Sequence, residues 1–469
     1  MTADAVQELE VDVAVVGAGP AALAFAERVG GAGLTVALID EQLRPGGQIL
    51  RQPPGAFRVD GWLDSPVYRR PKAALARLAG LPSVRFIGGA SVASAYPDER
   101  GFELWLAGAG VPRRVRARRL LAATGCYDLP PAFPGWTLPG VMTAGAVQAF
   151  LKSQQFTPDG RIVFCGTHPL QLIAAEQLVK AGARVEAVVF AQPAGAVLRL
   201  LAHAPAALAN AGKLAQAASA LAGLLRAGVA VRFGAAPVRA LGEDRVTGVE
   251  LERLGPGAAR ETLACEALAL CFGFLPQSEL PRSLEAAFAW AGPYGGWRIL
   301  HDDWMRSSVP GLYVAGEVTG VGGADMSLVE GALAGLGVLL DEGHLTAARA
   351  DDMASGLRRE HRRCAAFAAM LRDLTSPEAA LARMAREDCI VCRCENVTRR
   401  AIEDARRDNV GLDRPTSIKL LTRAGMGPCQ GRNCEHAVVR LACGGREPRP
   451  MDAFTARFPV RASPLGRLV

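Results

Sequence analysis

Val11-Asp-Val-Ala-Val-Val16 runs directly into Gly17-Ala-Gly19-Pro20-Ala-Ala22, and this order decides the fold. The first run is rich in β-branched residues, which is typical of a fully buried parallel strand. Gly17 permits a tight turn, and Gly19 lets backbone N–H groups approach a pyrophosphate. Pro20 belongs to the same fingerprint, the small Ala22 keeps helix and strand close, and the helix N-terminus adds partial positive charge.

A second apolar strand is predicted from Thr35 to Ile39 after a helix that runs to about Gly33. It ends at Asp40 and Glu41. An acid about 20 residues after the glycines accepts a hydrogen bond from a ribose hydroxyl, a role that we predict for Asp40, with Glu41 as the alternative. Because strand, turn, helix, strand and acid occur in order, the pattern indicates a dinucleotide-binding fold rather than a chance glycine turn.

The composition limits the remaining possibilities. A chain of 469 residues predicts two or three domains, and a net charge of +7 without a basic run argues against nucleic-acid binding. No apolar run is long enough for a membrane span, so membrane contact is expected to be peripheral at most. The N-terminus lacks the order of a signal peptide, which predicts a cytoplasmic protein. The 11 cysteines are then expected to be thiols or metal ligands rather than a disulfide framework.

Further glycine-rich segments narrow the type of nucleotide. Gly46-Gly47-Gln48 offers close backbone approach and one amide, and a late strand from Val309 ends in Gly316-Glu317 before a helix from Asp325 to Leu340. These segments resemble the two-dinucleotide-binding flavoproteins, the family that includes glutathione reductase and thioredoxin reductase. The resemblance implies FAD in the first fold, with Gly316 and Glu317 at the ribityl and second phosphate. Thr124-Gly125 matches the turn where the first FAD segment ends. The family usually has Asp where Glu317 stands.

The middle segment resembles the NAD(P)H domain inserted in that family. Arg161 to Gly166 opens a second strand and turn, and Arg184 to Phe190 is the following strand. His168 stands where the second glycine is expected, and its side chain would crowd a pyrophosphate. We therefore predict a retained fold with altered or lost nucleotide binding, and a capping or packing role for His168. No paired redox cysteines lie near the flavin segments, so disulfide reduction is not expected, and Cys126 is interpreted as a small buried thiol.

Four cysteines near the C-terminus form two close pairs: Cys392 with Cys394, and Cys429 with Cys434. Four thiolates on two loops suit an iron–sulfur cluster, and glycines around Cys429 let backbone N–H groups turn towards the sulfurs. Zinc and plain buried thiols remain alternatives. Cys389 is interpreted as a spare thiol and Cys443 as structural. The segment resembles the bacterioferritin-associated ferredoxin-like (BFD-like) [2Fe-2S] domain, a small helical fold.

Several longer stretches resemble the α subunits of heteromeric amine dehydrogenases, such as opine oxidase, D-hydroxyproline dehydrogenase and hydrogen cyanide synthase. They include Phe133 to Gly145, Thr422 to Cys429 and Arg457 to Pro464. The resemblance implies a β subunit of the D-amino-acid-oxidase type that carries a second flavin and oxidises a C–N bond. It also implies, in some members, a small ferredoxin-like third subunit, FMN between α and β, or NAD or ATP in place of FAD in the first fold. No substrate base is predicted in this chain, so its catalytic residues stay unassigned.

The predicted fold class is α/β, with two Rossmann-like domains and a small helical C-terminal [2Fe-2S] domain. The predicted segments are 1–145 and 276–345 for the split FAD domain, 146–275 for the inserted NAD(P)-type domain, 346–385 for a helical linker, 386–446 for the BFD-like domain and 447–469 for the tail.

Overall fold

The computed structural model describes residues 8–57, 59, 63–255, 257, 259–292, 295–409, 411, 414–464 and 466. The first seven residues of the predicted segment 1–145 and the end of the predicted tail 447–469 therefore lie outside the described residues. In the described part, no helix is both long and apolar enough to cross a membrane.

The first sheet is built around β1 and has the order β3-β2-β1-β6-β5-β4, with β19 paired to β6. Strands β1, β2, β3, β6 and β19 run parallel, and β4 and β5 join as an antiparallel edge. The elements of this part are β1 (Glu8–Val16), α1 (Pro20–Gly31), β2 (Val36–Asp40), α2 (Arg69–Leu78), β3 (Val84–Gly88), β4 (Ser91–Asp98), β5 (Gly101–Ala107), β6 (Arg114–Ala122) and β7 (Cys126–Asp128).

The second sheet is parallel and has the order β11-β10-β9-β15-β8, with the antiparallel sheet β12-β13-β14 beside it. Its elements are β8 (Val141–Thr143), α3 (Ala144–Gln154), β9 (Arg161–Gly166), α4 (Leu170–Lys180), β10 (Arg184–Phe190), α5 (Ala204–Ala209), α6 (Ala211–Arg226), β11 (Ala230–Phe233), β12 (Ala235–Leu241), β13 (Gly248–Arg253), β14 (Arg260–Ala264) and β15 (Ala267–Cys271).

The chain then returns to the first sheet and continues into the C-terminal part. The remaining elements are β16 (Phe274–Pro276), α7 (Glu279–Ser283), β17 (Phe288–Trp290), β18 (Trp297–Ile299), β19 (Leu312–Val314), α8 (Ala324–Asp341), α9 (Ala347–Leu374), α10 (Glu378–Met384), β20 (Ile390–Cys392), β21 (Val397–Thr398), α11 (Arg399–Asp408), α12 (Pro415–Thr422) and α13 (Glu435–Cys443). The fold class predicted from the sequence is confirmed.

Alternation along β1 explains the layering of the first unit. Val13 and Val15 face one layer and contribute to a core with Phe25 of α1, whereas Ala14 faces the other layer with Ile39 and Leu120. Because successive side chains of a strand point to opposite faces, the apolar stretch from Val13 to Val15 is buried on both faces of the sheet. Helices α1 and α8 together cover one face of the first sheet.

Several element bounds differ from the sequence prediction by one to three residues, and two of these differences have a clear physical reason. The late strand begins at Leu312 rather than Val309, because Val309-Pro310-Gly311 forms a turn in which the N–H of Leu312 donates to the carbonyl of Val309 at 3.1 Å. Proline in that turn has no N–H to give to a ladder. Helix α1 ends at Gly31, and the following Gly33 has φ +90°, which cannot continue a right-handed helix.

Candidate functional site

The first glycine turn lies at the carboxyl edge of the first sheet. Val16 pairs with Ile39 on one side and with Ala122 on the other, so the ends of three parallel strands meet there. Gly17 has φ +100°, and a Cβ at this position would lie 2.3 Å from the carbonyl oxygen of Ala123. Only glycine fits this turn, which aims the N-terminus of α1 at the space beyond the sheet.

A second glycine loop packs against the first. The N–H of Gly46 donates to the carbonyl of Ala18 at 2.8 Å, and a Cβ on Gly47 would lie 2.7 Å from the Cα of Gly19. Next to this loop, the amide oxygen of Gln48 accepts from Arg51 at 2.7 Å. The two loops therefore form one backbone cradle with no side chain between them, as a phosphate-bearing ligand requires.

The two acids at the end of β2 are both engaged by protein groups. Asp40 accepts from the backbone N–H of Ala18 at 2.6 Å and of Gln42 at 2.7 Å, so its carboxylate holds the glycine turn in place. Glu41 is held by Arg461, 420 residues further along the chain, at 2.5 and 2.6 Å. Asp40 retains lone pairs for a ribose hydroxyl, because each carboxylate oxygen accepts more than one hydrogen bond.

The later flavin segments face the same space. The hydroxyl of Thr124 donates to the carbonyl of Gln277, and the carbonyl of Gly125 accepts from the N–H of Gln277 at 2.9 Å. The N–H of Gly316 donates to Glu330 at 2.7 Å. Glu317 accepts from the N–H of Gly323 at 3.2 Å and from the thiol of Cys126.

The Cys126–Glu317 contact places a thiol and a carboxyl together in the cavity wall. Burial raises the pKa of Glu317 above its ordinary value, and burial also raises the pKa of Cys126 well above its own. Cys126 is thus a hydrogen-bonded thiol rather than a nucleophilic thiolate.

One cavity of about 950 Å³ connects these groups. Of the predicted FAD residues, those that line it are Gly17, Gly19, Pro20, Asp40, Glu41, Gly47, Gln48, Thr124, Gly125, Gly316 and Glu317. Two others lie behind the wall: Ala22 is buried within α1, and Gly46 supports the cradle through its N–H. The volume is at the upper end of the range for ligand pockets, which suits a dinucleotide.

Lys152 of α3 is a cavity residue that the sequence did not reveal. Its side chain is 5 % exposed, and its Nζ donates to the carbonyl of Ile49 at 3.2 Å and the amide of Gln148 at 3.1 Å. Burial lowers the pKa of Lys152 to about 7, and the charge of Arg51 adds to this effect. The only available signal was a lysine in an apolar helix of a lysine-poor chain, which does not by itself indicate a site.

The cavity extends to the first turn of the inserted NAD(P)-type domain. His168 occupies the position where the second glycine of a nucleotide fingerprint is expected. His168 is half-buried, its ring packs edge-to-face with Phe274, and its Nδ1 accepts from the N–H of Leu170 at 3.2 Å. Burial lowers the pKa of His168 to about 4, so the ring is neutral. The imidazole caps α4 from the position that a pyrophosphate would need.

The four C-terminal cysteines lie as two contacting pairs. The thiols of Cys392 and Cys434 lie within hydrogen-bonding reach of each other, and so do those of Cys394 and Cys429. Cys392 ends β20, and Cys434 immediately precedes α13. In the part of the chain that the structure describes, no three His, Cys, Asp or Glu side chains converge at single-ion spacing.

Backbone groups around the paired thiols favour negative charge. The N–H of Gly425 donates to the sulfur of Cys392 at 3.4 Å, and a Cβ on Gly427 would lie 2.3 Å from the Cβ of Cys394. The contact with Cys434, with help from these N–H groups, lowers the pKa of Cys392 to about 6. Four sulfurs on two loops, with N–H donors aimed at them, would suit the four thiolate ligands of a [2Fe-2S] cluster.

A buried ion pair joins the cysteine domain to the FAD-type unit. Arg282 of α7 is 4 % exposed and donates to Glu435, the residue after Cys434, at 2.9 and 3.2 Å. The same carboxylate accepts from the indole of Trp297 at 2.9 Å and from the N–H of Phe454 at 2.8 Å. Glu435 therefore fixes the start of α13 against the flavoprotein body.

We expect Arg282→Met to destabilise the protein by about 3–5 kcal/mol, since it leaves the Glu435 carboxylate buried without its partner. Thermal unfolding followed by circular dichroism measures the loss. Arg407→Met is the matched control, because Arg407 lies on the surface of α11 beside Asp404. The unfolding midpoint of this variant should equal that of the native protein. Equal midpoints for the two variants would contradict this account of the junction.

The cavity and the cysteine loop share a thin wall. Glu279 lines the cavity, accepts from the hydroxyl of Tyr127 at 3.5 Å, and lies 3.9 Å from Arg432. Arg432 lies between Cys429 and Cys434, and it donates to the carbonyl of Cys429 at 3.4 Å. The Glu279 and Arg432 side chains therefore lie between the nucleotide cavity and the loop that carries two of the four predicted cluster ligands.

The fold and the two sites define a class: a flavin-dependent oxidoreductase with two dinucleotide folds and a C-terminal [2Fe-2S] domain. Residues 11–335 match the model of the pyridine nucleotide-disulphide oxidoreductase family, and residues 390–442 match the BFD-like [2Fe-2S] binding domain. The chain belongs to the pyridine nucleotide-disulphide oxidoreductase family and groups with the A-type subunits of opine oxidases. The family's cofactor is FAD, which suits the backbone cradle, and the BFD-like domain carries the iron–sulfur cluster.

Relatives match over nearly the whole chain. The A-type subunit of opine oxidase from Rhizobium meliloti (strain 1021) is 34% identical over 472 residues, which cover 97% of this chain and 98% of the relative. The HcnB subunit of hydrogen cyanide synthase from Pseudomonas aeruginosa is 31% identical and covers 90% of each chain. Among solved structures, L-proline dehydrogenase from P. horikoshii superimposes with a TM-score of 0.71 at 19% identity, over 99% of this chain and 81% of that one.

Proposed function

We propose that this chain is the electron-transferring α subunit of a heteromeric flavin-dependent dehydrogenase that oxidises the C–N bond of an amino or imino acid. The candidate substrates are opines, hydroxyproline and proline. The thin wall at Glu279 and Arg432 carries this proposal, because it brings the nucleotide cavity next to the cysteine loop. Relatives named as A-type or α subunits of opine and sarcosine oxidases support a multi-subunit assembly.

The proposed partner is a β subunit of the D-amino-acid-oxidase type with a second flavin. Further proposed components are FMN at the interface of the two subunits and a small ferredoxin-like third subunit. The assembly is proposed to work in the cytoplasm. When bound, FAD accepts two electrons from an organic donor, and a [2Fe-2S] cluster passes them on singly.

Each group of residues in this chain has a proposed role in that transfer. The fingerprint residues Gly17 and Gly19, with Asp40, bind the nucleotide, and the Gly46-Gly47-Gln48 loop, Thr124, Gly125, Gly316 and Glu317 orient it. Cys392, Cys394, Cys429 and Cys434 hold the cluster. His168 keeps a pyrophosphate out of the second fold, which favours electron entry from a partner subunit over entry from NAD(P)H. We assign no substrate base to this chain, since amine oxidation is proposed to occur on the β subunit.

Anaerobic reconstitution with the β subunit tests the proposal. Adding the correct amino acid should bleach the flavin absorbance and then produce the electron paramagnetic resonance signal of a reduced [2Fe-2S] cluster. In the Cys392→Ser complex the flavin should bleach without that signal. Rapid bleaching of the isolated chain by NADH would instead support a self-sufficient NAD(P)H-dependent reductase. A cluster that stays oxidised with every amino acid tried would indicate a scaffold.

A further inference from the structure

The C-terminal tail returns from the cluster domain to the first nucleotide fold. After α13 and a short 3-10 helix at Pro450–Asp452, the N–H of Val460 donates to the carbonyl of Ala93 in β4 at 2.7 Å. The side chain of Val460 is buried in the core beside the first sheet, and Val460 and Arg461 both line the cavity. The tail is thus anchored to the FAD-type unit and forms part of the cavity wall.

Arg461 meets Glu41 through two parallel hydrogen bonds. Its Nε and Nη2 donate to the two carboxylate oxygens at 2.5 and 2.6 Å, and Ser91 adds a third donor at 3.1 Å. This fork geometry is the strongest arrangement that arginine makes with a carboxylate. In the described part of the chain, the other N–H groups of this guanidinium meet no further acceptor, although the side chain lines the cavity.

The Arg461–Glu41 ion pair affects the negative charge that a ligand would meet in the cavity. Glu41 follows Asp40 at the end of β2, so two carboxylates stand beside the ribose position. A dinucleotide brings two further negative charges on its pyrophosphate. The other ionisable groups that face Arg461 are Glu279, Tyr127 and Arg432. The side chain of Glu41 is 43 % exposed, and without Arg461 it would keep only the Ser91 hydroxyl and the charge of Arg432 beside it, close to an anionic ligand.

We propose that Arg461 is a residue of the nucleotide site: it neutralises Glu41 beside the ribose position, and it makes binding of the ADP half of FAD depend on a docked C-terminal tail. The role is one of positioning and charge compensation. It concerns the nucleotide alone and does not depend on the proposed electron route. Because coupling between two binding events is reciprocal, bound nucleotide must also stabilise the docked tail.

Titration calorimetry on the full-length apoprotein tests this inference with ADP and with uncharged adenosine as probes. Arg461→Gln is expected to weaken ADP binding about tenfold and adenosine binding less than threefold, since only the charged ADP is repelled by a Glu41 that has lost its ion-pair partner. Arg461→Lys keeps the charge and should recover most of the ADP affinity. Arg457→Gln is the matched control, because Arg457 is exposed on the same tail, and it should bind both probes as the native protein does.

A second variant separates charge compensation from simple tail anchoring. Glu41→Gln combined with Arg461→Gln removes both charges, so ADP affinity should return to within about threefold of the native value. Equal weakening of ADP and adenosine by Arg461→Gln, or no recovery in the double variant, overturns the proposal. An ADP affinity of Arg461→Gln equal to that of the native protein also overturns the proposal.

Proteolysis supplies a readout independent of calorimetry. Trypsin can cleave after the exposed Arg457 and release the segment that contains Arg461. Saturating ADP should slow this cleavage severalfold in the native protein and have no effect in Arg461→Gln. If ADP does not change the cleavage rate of the native protein, nucleotide binding is not coupled to docking of the tail.

Discussion

Replacing Cys392 by serine is expected to remove the iron–sulfur cluster while FAD remains bound. Cys392 contacts Cys434 and accepts from the N–H of Gly425, and its lowered pKa favours the thiolate that iron requires. A serine hydroxyl remains protonated at neutral pH and is a hard oxygen ligand, so it is a poor replacement at an iron–sulfide centre. Iron and acid-labile sulfide per chain should fall close to zero, and the visible cluster absorbance should disappear.

Cys443→Ser is the matched control for this loss. Cys443 ends α13 in the same domain and is buried beside Trp297, away from the paired thiols. Its replacement should lower stability modestly and leave the iron content unchanged. Native iron and sulfide in the Cys392→Ser protein would remove Cys392 from the ligand set, and zinc in place of iron in the native protein would exclude the cluster.

Gly17→Ala is expected to abolish FAD binding and to destabilise the apoprotein by on the order of 3 kcal/mol. The added Cβ would lie 2.3 Å from a backbone carbonyl at φ +100°, and neither the carbonyl nor the turn can move without displacing β6. The turn would open, the N-terminus of α1 would shift, and the backbone cradle would no longer match a pyrophosphate. FAD released by denaturation, measured by its fluorescence, reports the binding loss.

Gly31→Ala provides the comparison at the far end of α1, the helix that follows the Gly17 turn. Gly31 is exposed at the last residue of α1, and a Cβ there would meet no atom within 4 Å. Alanine should leave FAD content unchanged and stabilise the protein slightly, by up to about 1 kcal/mol. Thermal unfolding of both apoproteins separates folding from binding. Full FAD content in Gly17→Ala would show that the fingerprint turn does not hold the nucleotide.

The structure also changes the role expected for the two acids after β2. Sequence order predicted a ribose contact from Asp40, with Glu41 as the alternative. In the structure Asp40 has a structural role, because its carboxylate accepts a hydrogen bond from the N–H of Ala18 and holds the turn that Gly17 begins. Glu41 is committed to Arg461. Neither partner is visible from spacing, since hydrogen bonds to a carboxylate depend on which backbone and side chains fold next to it.

The amino-acid sequence alone determined the features that depend on neighbouring residues. The buried strand Val11–Val16, the glycine turn after it and the two close cysteine pairs follow from side-chain alternation, allowed φ values and ligand chemistry, which act over a few residues. Only the tertiary structure decided which distant groups meet: Arg461 with Glu41, Arg282 with Glu435, and Lys152 with the cavity. These contacts join segments up to 420 residues apart, and they form only after the sheets and helices have packed, so no local pattern encodes them.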